Sequence, residues 1–155
     1  PIRLNETTRA HFRGLAALAS PEDAARYTAL VEGRDVEAVR AYLASHAPQV
    51  HALLRTSISP NIVKGGYLRN VIPSEAEATL DVRALPDEDM PALLDQLRRL
   101  VDDPAIEIAP LPGMRIRPAA PPSSLDSEAF AVVKAVHERE YGVPVVPTMM
   151  TGATD

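Results

Sequence analysis

The clearest pattern in the chain is a period-2 alternation from Glu75 to Ala84. Ala76, Ala78, Leu80, Val82 and Ala84 alternate with Glu75, Glu77, Thr79, Asp81 and Arg83. Successive strand side chains point to opposite faces, so this spacing predicts a half-buried strand with one polar face. Asp81 and Arg83 fall together on that face. Upstream, Thr56-Ser-Ile-Ser is short and β-branched, and Asn61-Ile-Val-Lys-Gly-Gly reads as strand and turn. Two further short strands are predicted at Ile106-Glu-Ile-Ala and Met114-Arg-Ile-Arg. A buried-looking one is predicted from Val143 to Met150.

Helical spacing governs the rest. From about Thr7 to Leu54 the chain is rich in Ala and Arg, both strong helix formers. Ser20-Pro-Glu-Asp supplies a cap, a first-turn proline and acids near the positive end of the helix dipole. Gly33 interrupts that helix and Pro48 restarts another. Met90, Leu93, Leu94, Leu97, Leu100 and Val101 form an i, i+3, i+4, i+7 stripe, and Pro91 confines the helix start to Asp87–Asp89. The prolines and serines of 118–124 have a linker composition. Asp126 to Tyr141 predicts an amphipathic helix that Gly142 stops.

The expected architecture is α+β, a two-layer sandwich with helices on one face of an antiparallel sheet, followed by one α/β unit. The expected division is 1–117 for the sandwich with its helical N-terminal part, and 118–155 for the linker and final unit. Pro1 and the Thr151-Gly-Ala-Thr-Asp155 end read as cuts within a longer protein.

Composition narrows the function. With 16 Lys+Arg against 21 Asp+Glu, the net charge is −5, and aromatics make up 4%. Nucleic-acid platforms need a positive face and stacking rings, so no nucleic-acid partner is expected. An RNA-binding sandwich of similar topology lacks its ring-bearing strand. The absence of cysteine removes disulfides and thiolate chemistry. No apolar run approaches the roughly 20 residues that cross a bilayer, so no membrane is expected. A cytoplasmic location is the expectation.

The four histidines, His11, His46, His51 and His137, occur in no His-x-Asp, His-x-His or His-Glu-x-x-His arrangement, and read as surface or helix-packing residues. No Gly-x-Ser-x-Gly elbow and no phosphate loop is present. From the residues alone, Asn70 ahead of Val71-Ile-Pro73 is a turn asparagine, and Arg83 a solvated charge.

The run Asn70-Val-Ile-Pro-x-x-Ala, followed by the strand ending Asp81-Val-Arg83, resembles the lid, or dimerisation, domain of the zinc-dependent family twenty metallopeptidases. These include aminoacylases and glutamate carboxypeptidases. The carboxypeptidase S type is similar over the whole run from Arg55 to Asp89. The final Thr151-Gly-Ala-Thr154-Asp155 resembles the turn at which the family's catalytic domain resumes after the lid.

The resemblance implies a βαββαβ lid, here lacking its first strand, that pairs across a two-fold axis into a homodimer. It implies two zinc ions for the whole protein, with ligands that this chain does not carry, and an N-acyl amino acid or small peptide as substrate. It assigns substrate binding to Asn70 and Arg83 and, more weakly, to Gly152 and Thr154. No catalytic or metal-binding residue is implied here, and this segment alone is expected to be inactive. The rival reading is a non-enzymatic ferredoxin-like dimerisation or small-molecule-binding module.

Overall fold

The computed structural model describes residues 2–114 and 121–150. In chain order the elements are α1 (Glu6–Leu18), α2 (Pro21–Val31), α3 (Val36–His46), α4 (Pro48–Ala52), β1 (Ser57–Gly65), β2 (Ala76–Arg83), α5 (Met90–Val101) and α6 (Glu128–Tyr141). The class is α+β. The chain gathers into two compact units, taken over their described residues. One comes from Pro1–Arg55 with Pro121–Asp155, the other from Thr56–Ala120. The four N-terminal helices thus group with the C-terminal segment, and the two strands with α5.

The helical unit is specified by its caps and its core. Asn5 accepts from the Thr8 backbone N–H while the Thr8 hydroxyl accepts from the Asn5 N–H, a reciprocal box that satisfies two otherwise orphaned donors. Ser20 caps α2, with Pro21 in the first turn as the sequence predicts. Phe12, Leu30, Val39, Leu43 and Leu54 form the buried core, with Tyr27, Val31 and Val50 packed against it. Between α2 and α3, the Tyr42 hydroxyl donates to Asp23 at 2.8 Å while the Arg26 guanidinium lies 4.2 Å from the Tyr42 ring centre. The Tyr42 bond, helped by Ser20 and Arg26, holds the Asp23 carboxyl below its ordinary value, and the same bond raises the Tyr42 phenol.

The last segment of this unit departs from expectation. Residues 143–150 form no strand. Instead they run beside α1. Val146 sits against Gly14, the Pro147 carbonyl meets His11 Nδ1 at 2.8 Å, and the Met149 sulfur lies 3.1 Å from the Asn5 amide nitrogen. A strand needs a neighbour to take its backbone groups. This segment meets a helix, so Val145, Val146, Pro147 and Met149 are half-buried without a ladder. Gly142 ends α6 with φ +63°, the left-handed stop that its position predicts.

In the second unit β1 and β2 pair antiparallel, with Ser57 opposite Arg83 and Gly65 opposite Ala76. The register slips between Pro60 and Ile62, leaving Asn61 as the extra residue. That bulge lets a proline sit inside the strand, because Pro cannot donate to a ladder. The two β-branched stretches therefore join as one nine-residue strand. Among the described residues this is the whole sheet. Residues 106–109 form no strand, and the Ile108 carbonyl accepts from the Arg98 guanidinium at 3.0 Å. Of the candidate strand at Met114, residues 115–117 lie outside the described residues.

Candidate functional site

The register sorts the ribbon into two faces, because directly opposed residues share one. Ile58, Pro60 and Val63 join Val82, Leu80 and Ala78 on the apolar face. Ser57, Ser59, Ile62 and Lys64 join Arg83, Asp81, Thr79 and Glu77 on the other. The alternation read from the sequence is therefore real. The apolar face is nevertheless open, with Val63 73% and Leu80 40% exposed.

Arg83 closes β2 on the polar face. Its Nε donates to Asp81 Oδ1 at 2.9 Å and one terminal nitrogen donates to Asp81 Oδ2 at 3.0 Å. This is a fork-on-fork pair along one edge of the guanidinium. The residues directly opposite, Ser57 and Ser59, are small. Just beyond, the Thr56 hydroxyl accepts from the Leu85 backbone N–H at 3.1 Å and donates to Glu88, tying the start of β1 to the chain that leaves β2. Leu85 is buried. Arg83 thus sits on an anchored end of the ribbon, with its side chain 57% exposed.

Asn70 lies at the other end. It is an exposed turn residue in the loop between the strands, where the Val71 N–H donates to the Leu68 carbonyl. The loop's two ends are close, since the Pro73 ring lies within 3.8 Å of where a Cβ on Gly66 would stand. Arg83 is seven residues along β2 from Ala76, about 23 Å at the usual strand rise. The structure therefore does not bring Asn70 and Arg83 together within one copy. Gly152 and Thr154 lie outside the described residues. The pairing of Asp81 with Arg83 escaped the sequence reading. The i, i+2 spacing on one face was the available signal, but spacing cannot fix a rotamer.

The histidines are helix-bound. His46 stacks on Tyr42 at 4.4 Å, and the Nδ1 of His137 meets the Val133 carbonyl at 2.8 Å. His11 and His51 are buried in the helical unit. Among the described residues, no group of three or more His, Asp or Glu side chains is placed to hold a metal ion. The described donor set thus does not fit a zinc site. No helix among those residues is long and apolar enough to cross a membrane. A cleft of about 420 Å³ opens between α2 and α3, but its Arg26 and Arg34 are already paired with Glu22 and Glu32.

Similarity to known proteins follows the strand unit and the helices before it. A family model described as a peptidase dimerisation domain matches residues 11–109. A probable carboxypeptidase S-like protein of Dictyostelium discoideum is 34% identical over 112 residues, covering 72% of this chain and 21% of that protein. An N-fatty-acyl-amino acid synthase/hydrolase, PM20D1, of Xenopus tropicalis is 28% identical over 109 residues, covering 70% of this chain and 21% of its own length. The chain thus spans about a fifth of the length of these curated relatives. No solved structure matches it. With the family model covering most of the chain, and the Asn70-to-Arg83 run inside the matched stretch, this chain belongs to the peptidase dimerisation domain family.

Proposed function

We propose that this chain is the dimer-forming, substrate-binding part of a zinc-dependent amidohydrolase or carboxypeptidase that cleaves an N-acyl amino acid or a small peptide with a free carboxylate. The observation that carries the reading is Arg83, exposed at the anchored end of β2 with one guanidinium edge held by Asp81 and the other edge still uncommitted to it. A planar fork suits a carboxylate, because it offers two parallel charge-assisted bonds. The names of the relatives, a carboxypeptidase S-like protein and an N-fatty-acyl-amino acid synthase/hydrolase, agree with a substrate bearing that group. Asn70 donates to a carbonyl or carboxylate oxygen without adding charge. Its place at the far end of the ribbon favours a site completed by the Asn70 of a second copy.

The homodimer is proposed through the strand unit. A lone two-stranded ribbon is marginal in water, and the open apolar face of this one supports its burial in an assembly. In the whole protein, two zinc ions would supply an activated water for the amide carbonyl. This chain's part is to grip the substrate's carboxylate end. Gly152 and Thr154 are proposed as further contacts to that end.

Arg83→Ala in the full-length protein is expected to remove on the order of 2–4 kcal/mol of transition-state binding, read as kcat/KM on N-acyl amino acids. A constant within about twofold of the parent's sinks the clamp.

A further inference from the structure

Resting on Arg83 as the carboxylate clamp, we infer that Asp81 is its positioning residue, and that the substrate is received on the guanidinium edge that Asp81 leaves open.

A guanidinium has two edges able to make paired bonds with a carboxylate. One is formed by Nε and a terminal nitrogen, the other by the two terminal nitrogens. Asp81 occupies the first, with both oxygens at 2.9 and 3.0 Å. The second edge is the one Asp81 leaves open on a side chain that is 57% exposed, and a ligand carboxylate binds there without displacing Asp81. An arginine on a strand end has several soft torsions, and locking them before the ligand arrives lowers the ordering cost of binding. The strand makes the lock possible, since residues two apart share a face and Asp81 and Arg83 both stand on the polar one. The residues directly across, Ser57 and Ser59, are small. Thr56 pins the strand end through Leu85, so the pair is carried on a fixed backbone.

Charge alone argues the opposite way. A second carboxylate beside an incoming anion is repulsive, so a merely electrostatic Asp81 would weaken binding and its loss would strengthen it. The two roles thus predict opposite signs.

The test compares N-acyl amino acids with their C-terminal amides as substrates for the full-length protein carrying Asp81→Ala, Asp81→Asn, Arg83→Ala or both alanines. KM and kcat are read separately. For the acids, Asp81→Ala is expected to raise KM about tenfold with kcat little changed, the effect of one hydrogen bond to a charged group. Asp81→Asn keeps one acceptor oxygen and is expected to fall between. The amides, lacking the group that Arg83 grips, are expected to be indifferent to either change. The double alanine variant is expected to be no worse than Arg83→Ala alone, as for two residues acting as one unit.

Acid KM unchanged or lowered in Asp81→Ala, while Arg83→Ala still loses acid substrates selectively, overturns the positioning role and leaves the clamp intact. A parent protein that treats acids and amides alike, or an Arg83→Ala change that weakens both by the same factor, overturns the clamp, and Asp81's role with it. Equal losses on acids and amides in Asp81→Ala mark Asp81 as structural only, and also overturn the inference.

Discussion

The two units solve the problem of burial differently. The four N-terminal helices close on one another, with Phe12, Leu43 and Leu54 fully buried and Leu30 nearly so. The strand unit does not. Its ribbon leaves Ile62, Val63 and Leu80 exposed, its loop leaves Ile72 93% exposed, and no residue of α5 is fully buried. Both carry regular amphipathic patterns, so pattern is not what separates them. The difference lies in how many layers each pattern finds. Four helices surround one core, whereas two strands expose both faces of a ribbon. An apolar face that stays open in one copy is the face that an assembly can use.

The sharpest way to break this comparison is to empty each side. Phe12→Ala is expected to cost about 3–5 kcal/mol, because the cavity opens in a closed core. Leu80→Ala, already 40% exposed in a single copy, is expected to cost under about 1 kcal/mol in a dilute monomer. Denaturant unfolding of both variants at two protein concentrations checks the pair. A Leu80 cost as large as that of Phe12, growing with concentration, shows the ribbon face covered by a second copy.

Next in size is Gly14. A Cβ there would stand 2.8 and 2.9 Å from the two Val146 methyls. Alanine is the better helix former by roughly 1 kcal/mol, but overpacking a stiff β-branched neighbour costs roughly 1–3 kcal/mol. Gly14→Ala is therefore expected to destabilise the helical unit, and adding Val146→Ala to reverse the sign. Thermal melts of the single and double variants decide this.

The smallest effect concerns pH. Burial, then the charges of Arg55 and Arg40, hold the His51 imidazole below its ordinary value. Below about pH 6.5 the unfolded chain takes up a proton that the folded unit resists. Stability owed to this site is thus full above that pH, falls as the pH drops through the interval between the two values, and levels off beneath the folded one. His51→Gln is expected to flatten the fall in melting temperature between pH 7.5 and 5.5. An unchanged slope removes His51 as its cause.

Much of this was legible in the residues themselves. Ser20-Pro21, Pro48 and Gly142 mark helix ends through backbone rules that act within a few residues, and the structure keeps each of them. The alternation around Leu80 fixed which residues of β2 share a face, because the strand period is a local property. The Asn70-to-Arg83 run pointed to a family through residue types and their order. Residues 143–150 were less legible. Their apolar, β-branched pattern is equally content in a sheet or against a helix, and the choice fell to α1 because His11, Gly14 and Asn5 offered the contacts.

By itself, then, the sequence determined the helix ends, the two-faced strand and the family, since each follows from short-range sterics, periodicity or motif order. Only the tertiary structure decided that Pro60 sits inside a bulged strand, that the last segment lines α1, that Asn70 and Arg83 stand at opposite ends of one ribbon, and that Asp81 holds one edge of Arg83. Those are matters of pairing register, rotamer and which neighbour arrives first. They depend on atoms distant along the chain or on torsions that sequence spacing leaves free.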